Sequence, residues 1–214
     1  GQVATVTDPK GGITANSYNG GFLRSMTDPT GNVTGYTYDA IGRVTSITSA
    51  ANKTSTMQYD LAGNLLSITD PLNHTTRYTD DSHGNRLTTT DPKGNITTFT
   101  YNGNSKLISI KNPLNQITTY GYDAEDRLSR VTDARGNSVI TTYDAVGRAI
   151  TVTDALNNTT TATYDAVGNI ISRTDAYNRA ILTISYDSKS YKPLTVKDVL
   201  LNTVTYSYDP LDRV

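Results

Sequence analysis

Cysteine is absent from this chain of 214 residues, and with it go disulfides and thiolate metal sites. Tryptophan is absent too, phenylalanine occurs twice and histidine twice. Two histidines and no cysteine leave little from which to build a nucleophile and its base, so no catalytic residue and no enzymatic activity are expected. Neither sign of charge prevails: 19 Lys and Arg face 20 Asp and Glu, for a net charge of −1. The charges are spread along the chain, so the basic footprint of a nucleic-acid binder is missing. No apolar run approaches the ~18 residues of a membrane-spanning helix, and no membrane insertion is expected. No segment carries a 3.6-residue apolar period, and no glycine-rich phosphate loop implies a nucleotide or other cofactor.

What the chain does have is tyrosine, 15 of them, placed at a regular interval. A tyrosine followed by an acid or amide recurs about every 21 residues: Tyr18-Asn19, Tyr38-Asp39, Tyr59-Asp60, Tyr101-Asn102, Tyr122-Asp123, Tyr143-Asp144, Tyr164-Asp165, Tyr186-Asp187 and Tyr208-Asp209. Tyr78 reads as an in-phase copy that lacks the acid. A fixed period of this length means that each repeat is one supersecondary unit that stacks on its neighbours. Residues 1–214 therefore read as a single array of about ten repeats. The array starts and stops within a repeat, which is the expectation for part of a longer chain.

A second signal lies between the tyrosines. Asp-Pro/Ala-x-Gly/Asn occurs at Asp28-Pro29-Thr30-Gly31, Asp70-Pro71-Leu72-Asn73, Asp91-Pro92-Lys93-Gly94, Asp133-Ala134-Arg135-Gly136 and Asp154-Ala155-Leu156-Asn157. The tyrosine sites repeat the chemistry as Asp-x-x-Gly, ending at Gly42, Gly63, Gly147 and Gly168. Asp can bond the backbone two residues on, Pro presets the next φ, and Gly or Asn accepts the left-handed conformation that follows a type I turn. Turn starts at 28, 39, 49, 60 and 70 alternate in steps of 11 and 10. The chain thus reverses twice per repeat, giving two strands each: an all-β antiparallel meander. About twenty strands in one open sheet exceed the ~10 that stay flat, so strong curvature, as a tube or a spiral strip, is expected. Residues 19–21, 78–86, 102–104 and 188–193 depart from the short-turn pattern and are expected to form looser loops at one rim.

Residues two apart before the turn, such as Tyr36/Tyr38, Met57/Tyr59 and Tyr120/Tyr122, share a face and predict an aromatic row. After the turn the spacing is three: Val44 and Ile47, Leu65 and Ile68, Leu128 and Val131. Either both faces are partly apolar or a bulge resets the phase, and the former is the expectation.

The pattern Gly31-Asn32-Val33-Thr34-Gly35-Tyr36-Thr37-Tyr38-Asp39-Ala40-Ile41-Gly42-Arg43-Val44 resembles the YD repeat of Rhs (rearrangement hotspot) proteins, and the likeness covers essentially the whole chain. That family includes bacterial polymorphic toxins, B and C components of insecticidal toxin complexes, wall-associated proteins and teneurins. The resemblance implies a β-sheet strip that spirals into a hollow shell, which in the toxins encloses an effector domain. It implies a secreted or cell-surface protein whose partners are an enclosed effector polypeptide, the rest of its own shell and components of a secretion system. No catalytic aspartate of the family's autoprotease segment is carried over, because only ordinary repeats are present. The alternative is an extracellular carbohydrate-binding or adhesion module, in which rows of tyrosine stack on sugar rings.

The acids otherwise read as turn residues. Asp80, Asp81 and His83 form a weak metal-ligand cluster, and His74 sits beside a turn without a partner in sequence. No metal site is assigned. Tyr38, Asp39, Gly42, Tyr59, Asp60, Gly63, Tyr122, Asp123, Tyr143, Asp144, Gly147, Tyr164, Asp165, Gly168, Tyr208 and Asp209 are taken as structural markers of the repeat.

Overall fold

The computed structural model describes residues 2–209 and Arg213. The final turn and strand entry read from residues 210–212 and 214 lie outside the described residues. The rest forms twenty strands of one sheet and no helix. By its contacts the chain divides into two units, Gly1–Ser105 with Lys111–Asn115, and Lys106–Ile110 with Gln116–Val214.

In the first unit the strands are β1 (Thr5–Thr7), β2 (Ile13–Asn19), β3 (Phe22–Thr27), β4 (Val33–Tyr38), β5 (Val44–Thr48), β6 (Thr54–Tyr59), β7 (Leu65–Thr69), β8 (Thr75–Asp80), β9 (Arg86–Thr90) and β10 (Ile96–Tyr101). Each pairs antiparallel with the next in sequence. β11 (Leu107–Lys111) follows. The second unit continues with β12 (Ile117–Tyr122), β13 (Leu128–Thr132), β14 (Ser138–Tyr143), β15 (Ala149–Thr153), β16 (Thr159–Tyr164), β17 (Ile170–Thr174), β18 (Ala180–Tyr186), β19 (Pro193–Asp198) and β20 (Thr203–Thr205). These again pair antiparallel in order. The two-strand repeat read from the turn spacing is the unit that forms.

The turns take the predicted geometry. The Asp28 N–H donates to the Asn32 carbonyl at 3.0 Å and the Gly31 N–H to the Asp28 carbonyl at 3.0 Å. Gly31 has φ 88° and its counterparts Asn73 and Asn157 have φ 65° and 63°. This is a type I turn closed by a left-handed residue, a three-residue hairpin connection with a bulge. Gly42 has a second constraint besides φ 88°: a Cβ built on it would lie 2.5 Å from the Phe22 ring.

Three of the four expected loose loops are tight. Gly20 and Gly21, with φ 58° and 94°, make a two-residue connection of the primed kind between β2 and β3. The Ser105 N–H donates to the Asn102 carbonyl at 3.0 Å, as in the standard turn. Residues 81–85 also form a standard turn, with the Asp81 N–H donating to the Asn85 carbonyl at 2.9 Å. Asp80 completes β8 and opposes Arg86, as Tyr59 opposes Leu65. The register therefore puts Asp80, not Tyr78, in the tyrosine's place. Residues 188–193 are longer than standard, the Asp187 N–H reaching the Lys192 carbonyl at 2.9 Å.

A bulge resets the phase after every tyrosine turn that has a described register. Tyr36 opposes Ile47, Thr37 opposes Ser46 and Tyr38 opposes Val44, so Thr45 is one residue too many. Leu66, Leu87, Ile150 and Ile171 are the extra residues of later repeats. Val44 and Ile47 consequently lie on the same face as Tyr36 and Tyr38. This corrects the expectation that their spacing of three divides them between faces. Thr45 turns the other way, its hydroxyl 2.9 Å from that of Thr37, and Leu66 holds the equivalent place. Each unit thus has two unlike faces. One carries Tyr, Val, Leu and Ile. The other carries threonine and serine joined across strands, as in Thr48–Thr54 and Thr69–Thr75 at 2.9 Å and Thr153–Thr159 at 2.8 Å, together with the bulge residues Leu66, Leu87, Ile150 and Ile171, so it too is partly apolar. Such cross-strand pairs each contribute roughly 0.2–1 kcal/mol.

No core layer lies on either face. Among the described residues no apolar residue is buried, and taken as whole residues only Ser67, at 8% exposure, is buried. The accessible surface is 14360 Å², against roughly 9,700 Å² for a compact protein of this mass. The sheet is one layer thick, and its cohesion must come from bonds within the sheet.

Candidate functional site

Those bonds concentrate at the rim where the tyrosines lie. The Asp39 Oδ1 accepts the N–H groups of Ile41 at 3.1 Å and Arg43 at 2.9 Å, and its Oδ2 accepts the Arg43 Nε at 2.6 Å. Asp123 is held by Glu125 and Arg127, and Asp144 by Val146 and Arg148, in the same way. At Asp60 and Asp165 an asparagine replaces the arginine, Asn64 and Asn169 donating from both backbone and side chain. These donors hold the carboxyls below the ordinary range: the Arg43 backbone N–H leads at Asp39, the Arg148 backbone N–H at Asp144, and the Asn64 side chain at Asp60. On the opposite rim Asn32, then Thr30, lower Asp28 to about 2. Ionised and fully engaged, such carboxylates are poor proton donors.

Six tyrosine hydroxyls of this rim each have one fixed partner. Tyr38 donates to the Leu23 carbonyl at 2.9 Å, Tyr59 to Val44 at 2.9 Å, Tyr122 to Leu107 at 2.9 Å, Tyr143 to Leu128 at 2.7 Å, Tyr164 to Ala149 at 2.8 Å and Tyr208 to Pro193 at 2.9 Å. At Leu23, Val44, Leu128, Ala149 and Pro193 the acceptor is the strand residue beside the bulge. The bulge ends the ladder there, so the carbonyl that faces the next strand has no backbone N–H to meet. A phenol reaches it from the end of that strand and takes the place of the missing rung.

Arginine completes the rim and was not singled out by the sequence. Arg43 donates Nη1 to the Asp60 carbonyl at 3.0 Å and lies 4.7 Å over the Tyr59 ring. Arg127 does the same to Asp144 and Tyr143, at 3.0 and 4.8 Å, and Arg148 to Asp165 and Tyr164, at 2.9 and 4.8 Å. One guanidinium therefore grips the Asp of its own turn and both the backbone and the ring of the next. The signal was the Gly-Arg pair at Gly42-Arg43 and Gly147-Arg148, which periodicity alone did not mark. With a guanidinium on the ring and the hydroxyl engaged, these tyrosines are not open platforms for a sugar.

The remaining candidates resolve into the same system. Asp80 is bonded to Arg86, whose guanidinium lies 4.1 Å over the Tyr78 ring. Asp81 accepts the N–H groups of His83 and Asn85. The three candidate ligands Asp80, Asp81 and His83 thus serve two separate contacts, and no group of three ligating side chains occurs among the described residues. His74 Nδ1 lies 2.9 Å from the Asp70 carboxylate, a partner one turn away that the sequence reading missed.

Residues 19–54, 59–96, 101–138 and 143–180 each match the model of the RHS Repeat family. The last three matches begin 42 residues apart (101 − 59 and 143 − 101), so the family's unit is two of the repeats described above. No curated protein sequence matches the chain. Among solved structures, the chain is similar to the Tc holotoxin pore of Photorhabdus luminescens, with 18% identity, a TM-score of 0.51, 97% of this chain and 15% of that chain. It is also similar to the TcdB2–TccC3–Cdc42 complex, with 16% identity, a TM-score of 0.50, 94% of this chain and 15% of that chain. At such identities the likeness is one of fold, and the chain spans about a seventh of those proteins.

Proposed function

Since the chain belongs to the RHS Repeat family, we propose that it is a length of protein wall that encloses a polypeptide cargo such as a toxin or effector. Its role as a structural repeat array follows from the family and from the rim; containment is the further step. The observation that carries it is the single layer. A sheet with no buried apolar residue, held by ladders, Thr–Thr pairs and the Tyr–Asp–Arg rim, is built to be continuous and thin. Its apolar face gains stability when something lies against it. The similarity of fold to toxin-complex structures supports the same reading. In this role the protein is secreted or exposed at the cell surface, and its partners are its cargo, the rest of its wall and the export machinery.

Limited proteolysis of the full-length polypeptide that carries this segment tests containment. The expected result is a downstream effector segment that resists protease while the repeats are folded and becomes sensitive once rim variants loosen them. Cleavage of that segment at the rate of the isolated effector would sink the proposal.

A further inference from the structure

Two residues before the rim tyrosine most repeats carry a large side chain, such as Tyr36, Met57, Phe99 and Tyr120, and two successive repeats do not. Tyr120 holds the place on β12, Ile184 on β18 and Tyr206 the next; between them Thr141 on β14 and Ala162 on β16 are small. The residue opposite the rim tyrosine shrinks at the same point, to Ala149, where Leu128 and Ile170 stand on either side. A half-open cavity of about 240 Å³ lies at this place, lined among others by Ala149, Val152, Ala162, Tyr164, Arg173 and Ile181. It opens to solvent and is smaller than a typical drug-sized site. Its size is that of one side chain.

Arg173 gives the cavity a charge. It is the cross-strand partner of Ala162, on the face where Val131 and Val196 occupy the equivalent places. Arg148 and Arg179 on neighbouring turns each hold a carboxylate, whereas Arg173 has no ion pair among the described residues. An unpaired guanidinium beside an apolar hole favours a ligand with both parts.

We propose that this gap is a binding site for an apolar side chain bearing an adjacent carboxylate: a polypeptide segment in which an aromatic or aliphatic residue stands next to an acid or ends the chain. The ring or alkyl group fills the place that Tyr120 and Tyr206 fill elsewhere, and the carboxylate meets Arg173. The site does not depend on containment. It would exist in an open module as well as in a wall.

The test is a titration of the isotopically labelled chain with N-acetyl-phenylalanine, followed by amide shifts. Saturable shifts confined to residues around Ala149, Val152 and Ala162 are expected. The neutral amide of the same ligand should bind about threefold more weakly, the size of an exposed charge contact, and Arg173→Gln should weaken the acid but not the amide. Ala162→Tyr, which restores the row, should abolish saturation while the remaining spectrum overlays that of the parent. Equal shifts in Ala162→Tyr, or no saturation in the parent up to the ligand's solubility, would overturn the site. Equal binding of acid and amide would overturn the role of Arg173.

Discussion

The Tyr59 hydroxyl donates to the Val44 carbonyl at 2.9 Å, at the residue where the β4–β5 register slips by one. Bulge and phenol are therefore two halves of one device. The bulge brings Val44 onto the same face as Ile47 but ends the ladder, and the tyrosine of the next repeat repairs the loss. The period of about 21 residues is the distance over which that repair recurs.

Tyr59→Phe keeps the ring under Arg43 and removes only the donor. A loss of about 1 kcal/mol is expected, the usual net value of one hydrogen bond. Tyr36→Phe is the control, because the Tyr36 hydroxyl makes no hydrogen bond among the described residues; it should be neutral within about 0.5 kcal/mol. Urea unfolding of the two variants checks this. Equal losses would show that the hydroxyl of Tyr59 contributes nothing specific.

Arg148 and Tyr164 should be energetically coupled. A double-mutant cycle with Arg148→Met and Tyr164→Leu is expected to give about 0.5–1 kcal/mol of interaction, the range for an exposed cation over a ring. Arg148→Lys should not restore it, since an ammonium cannot hold the Asp144 carboxylate, the Asp165 carbonyl and the ring together. Additive losses would mean that the 4.8 Å stacking is incidental.

The strands, the turn types and the repeat could be read from the sequence because each rests on local chemistry: Asp28 bonds its own turn, and Asn73 accepts a left-handed φ. The face of Val44 could not, since a bulge shifts phase without leaving a mark in residue type. Arg43 was missed for a related reason. Its partners Tyr59 and Asp60 are a repeat away, and the local Gly42-Arg43 pair that marks it is not part of the tyrosine period. Tyr78 misled because an aromatic two residues early looks the same in a period count. Only the pairing of Asp80 with Arg86 shows which residue occupies the tyrosine's place.

At Leu201 the local chemistry is unfavourable. This residue has φ 68° and is 67% exposed, so its side chain carries a conformational cost with little burial to offset it. Leu201→Gly is expected to raise stability by about 1 kcal/mol, measured as a higher urea midpoint. A lower midpoint would show that the leucine makes a contact in solution.

The Asp80–Arg86 pair allows a sharper test of what the tyrosine place requires. The Asp80 side chain is 5% exposed, so Arg86→Val alone strands a carboxylate and should cost about 3 kcal/mol. Asp80→Tyr with Arg86→Val rebuilds the pattern of Tyr38 and Val44. It should return to within about 1 kcal/mol of the parent or exceed it, because apolar pairs often equal the buried ion pairs they replace. A double variant as unstable as Arg86→Val would mean that this repeat has diverged beyond the shared rim geometry.

Acid should weaken the sheet through its turns. A carboxyl whose pKa is lower in the folded chain stabilises the fold above its unfolded value, and that contribution is lost as pH falls through the folded one. The unfolded value is near 3.9. Asp28 lies at about 2 through its bonds from Asn32 and Thr30, and Asp39, Asp60 and Asp144 are lowered as well. The thermal midpoint should thus be level from neutral pH down to about 5 and fall between about pH 4 and 2. Asp28→Asn, which cannot titrate, should be less stable at neutral pH and show a shallower fall over the same interval. Asp→Asn changes on both rims should flatten it further. A midpoint that holds steady to pH 2 in the parent, or an undiminished slope in the variants, would show that the turn carboxylates do not govern stability, and the cohesion of the sheet would then have to be sought in the threonine face.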